Sequence, residues 1–345
     1  MRHNDLRTLS MLDWLENDLL LMINSCEPAS SDASFRRYFR VKTAEGQYVV
    51  MDAPPEKENT AAFIKVAGIL AHSQVNVPTI FQENVTDGFL LLEDFGSTCY
   101  LDELNEQNAT QLYQGAFETL FKLQSLTDIN QCDLPSYDVP LLQRELTIFH
   151  EWFLGQLLDI QIPASLWETV CDALIVSALE QPKVCVHRDY HSRNLMVLTE
   201  DSPGVIDFQD AVIGPIIYDV VSLLKDCYIA WPEPQVEAWL TSYYDRLVQA
   251  DLIACSLADF KRWFDLMGMQ RHLKAIGIFS RLHLRDDKST YLQDIPRTLH
   301  YVMTVCSSYP ELAEFGQFLQ NQVLPLLDDT LILLKNNKIN EASLS

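Results

Sequence analysis

The 345-residue sequence predicts an α+β chain of two lobes, a small β-rich first lobe over residues 1–95 and a mainly helical second lobe over 96–345. Three observations carry this. Turn signals between apolar runs bunch before residue 95, at Ala44-Glu45-Gly46 and Thr86-Asp87-Gly88. Helical periodicity dominates after it. One stretch, 184–210, interrupts the helices with strand-loop-strand punctuation and polar groups at the strand ends.

In chain order, Leu6, Leu9, Leu12, Leu15 and Leu19 form a helical stripe over 6–24. A polar segment, 28–34, leads into a hairpin of 35–41 and 47–52, closed by Pro54-Pro55. Residues 57–72 read as a helix through Ala61, Ile64, Val66 and Leu70, and 78–81 with 88–93 form a second hairpin. Glu93-Asp94-Phe95-Gly96 marks the exit from the first lobe. Helices are then expected at 102–126, 138–159, 163–181, 216–229, 233–250, 257–281 and 308–335, followed by a polar tail, with strands only in the 184–210 region.

That region reads V-C-V-H-R-D-Y-H-S-R-N-L-M-V-L-T-E-D-S-P-G-V-I-D-F-Q-D. The apolar run Val184–Val186 stops at His187; Asp189 follows, then Asn194 five residues later, and Asp207 after the hairpin. The spacing matches the H-R-D-x-x-x-x-N and D-F-x elements of protein-kinase-like phosphotransferases. Phosphoryl transfer needs a carboxylate at the acceptor hydroxyl and hard oxygen ligands for magnesium. Asp189 suits the first task; Asn194 and Asp207 suit the second. His187 reads as a hydrogen-bonded histidine holding the loop, and His191 as a packing or substrate-contacting group. A turn-capping hairpin is the plain alternative. A transition-metal set of His187, Asp189, His191 and Asp207 is disfavoured because nothing fixes the two histidines on one face.

Composition narrows the partners. The net charge of −23 argues against nucleic acid and anionic membrane surfaces. Eight cysteines, scattered singly, indicate neither a zinc site nor a disulfide framework and suit a reducing cytoplasm. The L-L-L-M-I run is too short for a span, and Asp13, Glu16 and Asp18 precede it, unlike a signal peptide. A cytoplasmic protein that binds neither nucleic acid nor membrane is the expectation.

Across nearly its whole length the chain resembles the aminoglycoside phosphotransferase (choline-kinase-like) family. The stretches that carry this are S-S-D-A-S-F-R-R-Y-F-R, M-D-A-P-P-E, V-H-R-D-Y-H-S-R-N-L-M, the run from I-D-F-Q-D to K-D-C-Y, and G-M-Q-R-H-L-K-A-I-G-I-F-S-R-L. The first and last point toward bacterial anomeric kinases of N-acetylmuramate and N-acetylglucosamine. The resemblance implies a protein-kinase-like bilobal fold, ATP and Mg2+ as cofactors, a sugar 1-phosphate product and a place in peptidoglycan recycling. It also makes Asp219, in I-Y-D-V-V-S-L-L, the aspartate that braces the catalytic loop; a helix cap is the compatible alternative. Asp210 is a metal, substrate or surface carboxylate.

The chain departs from the kinase pattern at two places. Where kinases carry a Gly-rich loop it has S-S-D-A-S, whose Ser31 and Ser34, with Glu93 at the lobe exit, are the nucleotide-binding candidates. Where a kinase strand ends in a phosphate-binding lysine, this one ends V-V-M-D, leaving Lys42, Lys57, Arg37 and Arg40 as open alternatives. The missing lysine keeps a pseudokinase reading in view, against the retention of Asp189, Asn194 and Asp207.

On the acceptor side, Arg271, Lys274, Arg281, Arg285 and Lys288 would share one side of a helix at about 100° per residue. Arg271 and Lys274 are the substrate-binding candidates, suited to a lactyl carboxylate; a solvated helix face is the alternative. Tyr228 and Trp231 are candidates for stacking on a pyranose. The rival acceptor is an aminoglycoside or choline-like amine, drawn by the acidic charge.

Overall fold

In the computed structural model, which describes residues 5–30, 35–126 and 132–332, α1 (Leu6–Asp13) is capped by Asp5 and runs into a π turn at Trp14–Asp18. There follow β1 (Ile23–Ser30), β2 (Arg37–Thr43), β3 (Gln47–Asp52), α2 (Thr60–His72), β4 (Ile80–Asn84), β5 (Phe89–Glu93), α3 (Tyr100–Glu103) and α4 (Ala109–Gln124). Then come α5 (Val139–Ile148), extended by a π segment at Phe149–Leu157, α6 (Ala164–Leu179), β6 (Lys183–Val186), β7 (Leu195–Met196), β8 (Gly204–Val205), β9 (Val212–Pro215) and α7 (Tyr218–Leu224). The chain continues through α8 (Glu233–Gln249), α9 (Leu257–Asp286), α10 (Ile295–Ser308), α11 (Ala313–Phe318) and a π turn at Leu319–Val323.

These elements form two compact units. One comprises Met1–Asp133 with His191–Ala211, the other Leu134–Tyr190 with Val212–Ser345. The chain therefore passes from one unit to the other within the H-R-D-x-x-x-x-N motif, between Tyr190 and His191.

The first unit is built on an antiparallel sheet in the order β1-β2-β3-β5-β4. Met11, Trp14, Leu15, Phe39, Val41, Val50, Phe89 and Leu91 form the core on one of its faces. The first helix is shorter than its leucine stripe suggests. Leu20 takes a left-handed φ of 57°, and the chain then enters β1, which pairs Cys26 with Val41. β1 has no alternating pattern to announce it, and its Pro28 is tolerated because β1 is an edge strand. At the tip of the β4–β5 hairpin Gly88 takes φ +78°, and a Cβ there would lie 1.9 Å from the Ala53 carbonyl oxygen. The small ribbon β7–β8 belongs to this unit, and Val205 N–H donates to the Asn76 carbonyl.

The second unit is helical around α9, whose Gly277 allows close approach to α5: a Cβ there would sit 2.6 Å from the backbone of Ile148. Its strands β6 and β9 pair Val184 with Gly214 and Val186 with Val212. β9 and α10 lie outside the sequence expectation. V-I-G-P is too short for a periodic signal, and α10 follows a helix-breaking stretch that masks its start. The helix expected over 102–126 begins at Ala109, after the short turn of α3. That expected over 308–335 is interrupted by a 3-10 turn at Pro310–Leu312 and by the π turn, with α11 between them and helix again over 324–332. The polar tail lies outside the described residues.

Candidate active site

The second unit carries Asp189. β6 ends at Val186, and the buried His187 follows, its Nδ1 accepting the Asp189 backbone N–H at 3.2 Å. Arg188 between them has φ +77°, which a non-glycine residue adopts only under constraint. Asp219 in the first turn of α7 supplies that constraint. Its carboxylate is fully buried and accepts the backbone N–H of His187 at 2.7 Å and of Arg188 at 3.0 Å. Burial raises the Asp219 pKa to about 6, against the lowering pull of His187 and the two N–H donors.

Around this loop lies a buried ionic cluster. Glu145 of α5, 3% exposed at its side chain, is bridged by the Arg188 guanidinium and by Lys274 Nζ at 2.9 Å, and also accepts from Tyr137 Oη. Lys274 also donates to Tyr218 Oη at 3.3 Å. Burial alone would push the Glu145 carboxyl up; Lys274 and Arg188 outweigh it and hold it below the usual range. Burial likewise opposes the charge on Lys274 and Arg271, yet Glu145 foremost for Lys274, and Cys227 and Tyr218 for Arg271, keep both protonated, with Asp189 adding to each. Glu145, Arg188, Tyr137 and Tyr218 were not singled out by sequence reasoning. Arg188 sits inside the H-R-D motif, but nothing in its spacing reveals its partner 43 residues earlier.

The basic stripe of α9 is not a uniform solvated face. Arg271 and Lys274 are buried, whereas Arg285 is exposed and pairs with its neighbour Asp286 at 2.8 and 2.9 Å. Lys288 is not on the helix, because Asp287 takes a left-handed φ of 55° and ends it. Arg271 Nη1 lies 3.9 Å from Cys227 Sγ, and its Nε is buried without a hydrogen-bond partner among the described residues. Tyr228 packs near Phe279, and Trp231 lies edge-on to Trp239.

The first unit carries Asn194 and Asp207. Asn194 N–H donates to the His191 carbonyl at 2.9 Å, and its own carbonyl accepts from Ile206 N–H at 3.1 Å, tying the loop to the strand that leads to Asp207. The side chains meet, Asn194 Nδ2 lying 3.4 Å from Asp207 Oδ2. Asp207 has φ +62°, and its other oxygen accepts from Gln209 Nε2 at 2.8 Å. Asp210 is exposed. Among the described residues, no three His, Cys, Asp or Glu side chains gather as a transition-metal site would require.

The cations weighed as substitutes for the missing lysine have defined places in the same unit. Asp52, at the strand end, is wholly buried and holds both Arg7, at 2.8 Å through Nε, and Arg37, at 2.9 Å through Nε. Arg40 grips Asp94 at 2.6 and 2.9 Å and the Gly96 carbonyl at 2.8 Å. Lys57 Nζ lies over the Phe35 ring, and Lys42 is exposed. Glu93 accepts from Thr79 N–H and Oγ1 at 3.2 and 2.8 Å. Ser31 and Ser34 lie outside the described residues.

The description "Phosphotransferase enzyme family" matches the chain over residues 25–252. The N-acetylmuramate/N-acetylglucosamine kinase of Pseudomonas aeruginosa is 49% identical over 296 residues, covering 85% of this chain and 87% of that protein. The kinase of the same description from Pseudomonas putida is 44% identical over 333 residues, covering 92% and 97%. Among solved structures, a choline kinase from Streptococcus pneumoniae superposes with a TM-score of 0.60 at 14% identity, covering 87% of this chain and 99% of that one, which establishes a shared fold. On the family match and on these identities, the chain belongs to the phosphotransferase enzyme family.

Proposed function

We propose that the protein is an ATP- and magnesium-dependent sugar kinase that phosphorylates the anomeric hydroxyl of N-acetylmuramate and N-acetylglucosamine. The observation that carries this reading is the 44–49% identity, over most of both chains, to proteins of that description. The catalytic-loop residues supply a chemical rationale. Asp189 orients the acceptor hydroxyl and takes its proton late, which an anomeric hydroxyl, more acidic than an ordinary alcohol, makes easier. Asp219 and His187 hold the loop that presents it.

Asn194 and Asp207 would hold magnesium. One amide and one carboxylate side by side are a hard-oxygen donor set of the size this ion takes from a protein when phosphates complete its shell. Bound there, the ion would supply positive charge to the transferring phosphoryl group. Arg271, with its buried Nε facing no protein acceptor among the described residues, favours an anionic acceptor and therefore an accepted N-acetylmuramate. The basic groups around Asp189 disfavour the rival cationic acceptors. The protein is proposed to act as a cytoplasmic monomer; among the described residues no helix is long and apolar enough to cross a membrane.

Phosphorus NMR of the product, with a reducing-sugar assay, tests the assignment. A 1-phosphate loses its reducing end. A product that still reduces overturns the anomeric site, and absence of ATP turnover with either sugar overturns the kinase reading.

A further inference from the structure

The strand-end position that holds a lysine in kinases is occupied here by Asp52, which is enclosed by Arg7 and Arg37, and Arg40 is committed to Asp94. A further cation of the first unit precedes β2. Arg36, immediately before β2, places Nε 2.9 Å from Glu58 Oε2, and the Phe35 backbone N–H binds the other oxygen of the same carboxylate at 3.1 Å. Both side chains of the pair are 11% exposed. Glu58 directly precedes Asn59, the N-cap of α2. One turn into α2, Phe63 packs on Phe208, ring centroids 4.7 Å apart, and Phe208 is the neighbour of Asp207. Within one unit, the first turn of α2 and the Phe63–Phe208 contact thus join the Arg36–Glu58 pair to the segment that carries the proposed metal carboxylate.

We propose that Arg36, positioned by Glu58, is the cation that contacts the phosphates of the bound nucleotide, replacing the absent strand lysine. It rests on the kinase reading and names a residue that the reading leaves open. In kinases the phosphate-binding lysine is held by a glutamate of the adjacent helix. Here a comparable charge pair is made by an arginine just before β2 and a glutamate just before the N-cap of α2. A guanidinium suits the change, because its planar fork of five donors serves two anions at once, where an ammonium acts as a single point charge. The field supports the placement: burial opposes the charge on Arg36, but Tyr38, Glu58 and Asp207 together raise its pKa. Asp207 is among the charges that favour the protonated guanidinium, and it belongs to the same unit as Arg36.

The test is nucleotide binding by calorimetry to the full chain, with magnesium, comparing ATP, ADP and adenosine. Arg36→Ala should weaken ATP about 10- to 100-fold, the usual worth of a charge-assisted hydrogen-bond pair, and leave adenosine within about twofold. Arg36→Lys should recover part of the ATP affinity. Glu58→Gln should give a smaller loss that still grows with phosphate number, which a merely structural defect would not do. Arg37→Ala and Arg40→Ala should weaken all three ligands alike. Equal losses for ATP and adenosine in Arg36→Ala, no loss at all, or a phosphate-graded loss at Arg37 or Arg40 instead would each overturn the assignment. Should Arg36→Ala not fold, Arg36→Lys with the same ligand series decides it. Failure of the unaltered protein to bind ATP would sink the kinase reading itself, an outcome distinct from a normal wild type with an indifferent Arg36 variant.

Discussion

The buried carboxylate of Asp219 holds the backbone N–H of Arg188 at 3.0 Å while that residue sits at φ +77°. The loop conformation that presents Asp189 is thus tied to the ionisation of one carboxylate. Its folded pKa of about 6 is above the ordinary 3.8, so the fold favours the protonated form. By linkage, this group's contribution to stability is fully present below pH 3.8 and lost as pH rises through about 6. Its hydrogen bonds run the other way, since only the carboxylate accepts from both N–H groups without an acidic proton. Turnover should therefore fall on acidification through pH 6 while this group causes no loss of melting temperature. Asp219→Asn should lower kcat about 10-fold or more, the cost of a buried unsatisfied donor, and flatten the acid limb. A pH–kcat profile beside thermal melts checks both; an unchanged acid limb in the variant would remove Asp219 from it.

Glu145 faces two cations in a buried site, Arg188 and Lys274. Glu145→Gln should destabilise the protein by about 3–5 kcal/mol, because breaking a buried pair leaves uncompensated charge, whereas a surface pair would cost under 1 kcal/mol. Urea denaturation gives the value, and a change below 1 kcal/mol would show the cluster to be solvated.

How much of this could be read beforehand varied with the kind of signal. Asp189, Asn194 and Asp207 stand at spacings set by local chain geometry, so the motif displays them as a set. The hairpins 37–52 and 80–93 were visible because Gly46 and Gly88 punctuate apolar runs. β1 was not, since an edge strand containing Pro28 owes its place to pairing with β2 rather than to its own pattern. The partners of Arg188 and Arg36 are 43 and 22 residues away and appear only once the chain is folded. The basic stripe was legible as periodicity, but burial of Arg271 and Lys274 depends on what packs against α9, which periodicity does not encode.

Asp207→Ala should abolish magnesium-supported turnover, and Asn194→Ala should leave weaker activity with a raised magnesium requirement, since the carboxylate carries charge and the amide only a dipole. Titration of activity against magnesium separates the two. Identical magnesium dependence in wild type and both variants would exclude these residues as its ligands.

Asp189→Asn should keep nucleotide affinity near normal and lower kcat by about 10² or more, as loss of a general base does. Single-turnover kinetics with calorimetry of ATP binding measure the two separately. Near-normal turnover would move the proton-accepting role elsewhere.

Arg271 and Lys274 lie one helical turn apart on α9, yet their surroundings predict different behaviour. Lys274 is held by Glu145 at 2.9 Å and Tyr218 at 3.3 Å, so its charge is already answered within the protein. Arg271 has Cys227 Sγ at 3.9 Å and a buried Nε with no acceptor among the described residues, so a ligand carboxylate would meet an unspent donor. N-acetylmuramate differs from N-acetylglucosamine by that carboxylate. Arg271→Ala should raise the KM for N-acetylmuramate about 10- to 100-fold, the range for a lost charged hydrogen bond, and change that for N-acetylglucosamine little. Lys274→Ala should impair both sugars together, because it unbalances Glu145 and, through Glu145, Arg188 on the loop that carries Asp189. The ratio of kcat/KM for the two sugars reads the distinction directly. A ratio unchanged in Arg271→Ala but shifted in Lys274→Ala would transfer carboxylate recognition to the lysine. Unchanged ratios in both would place it outside α9.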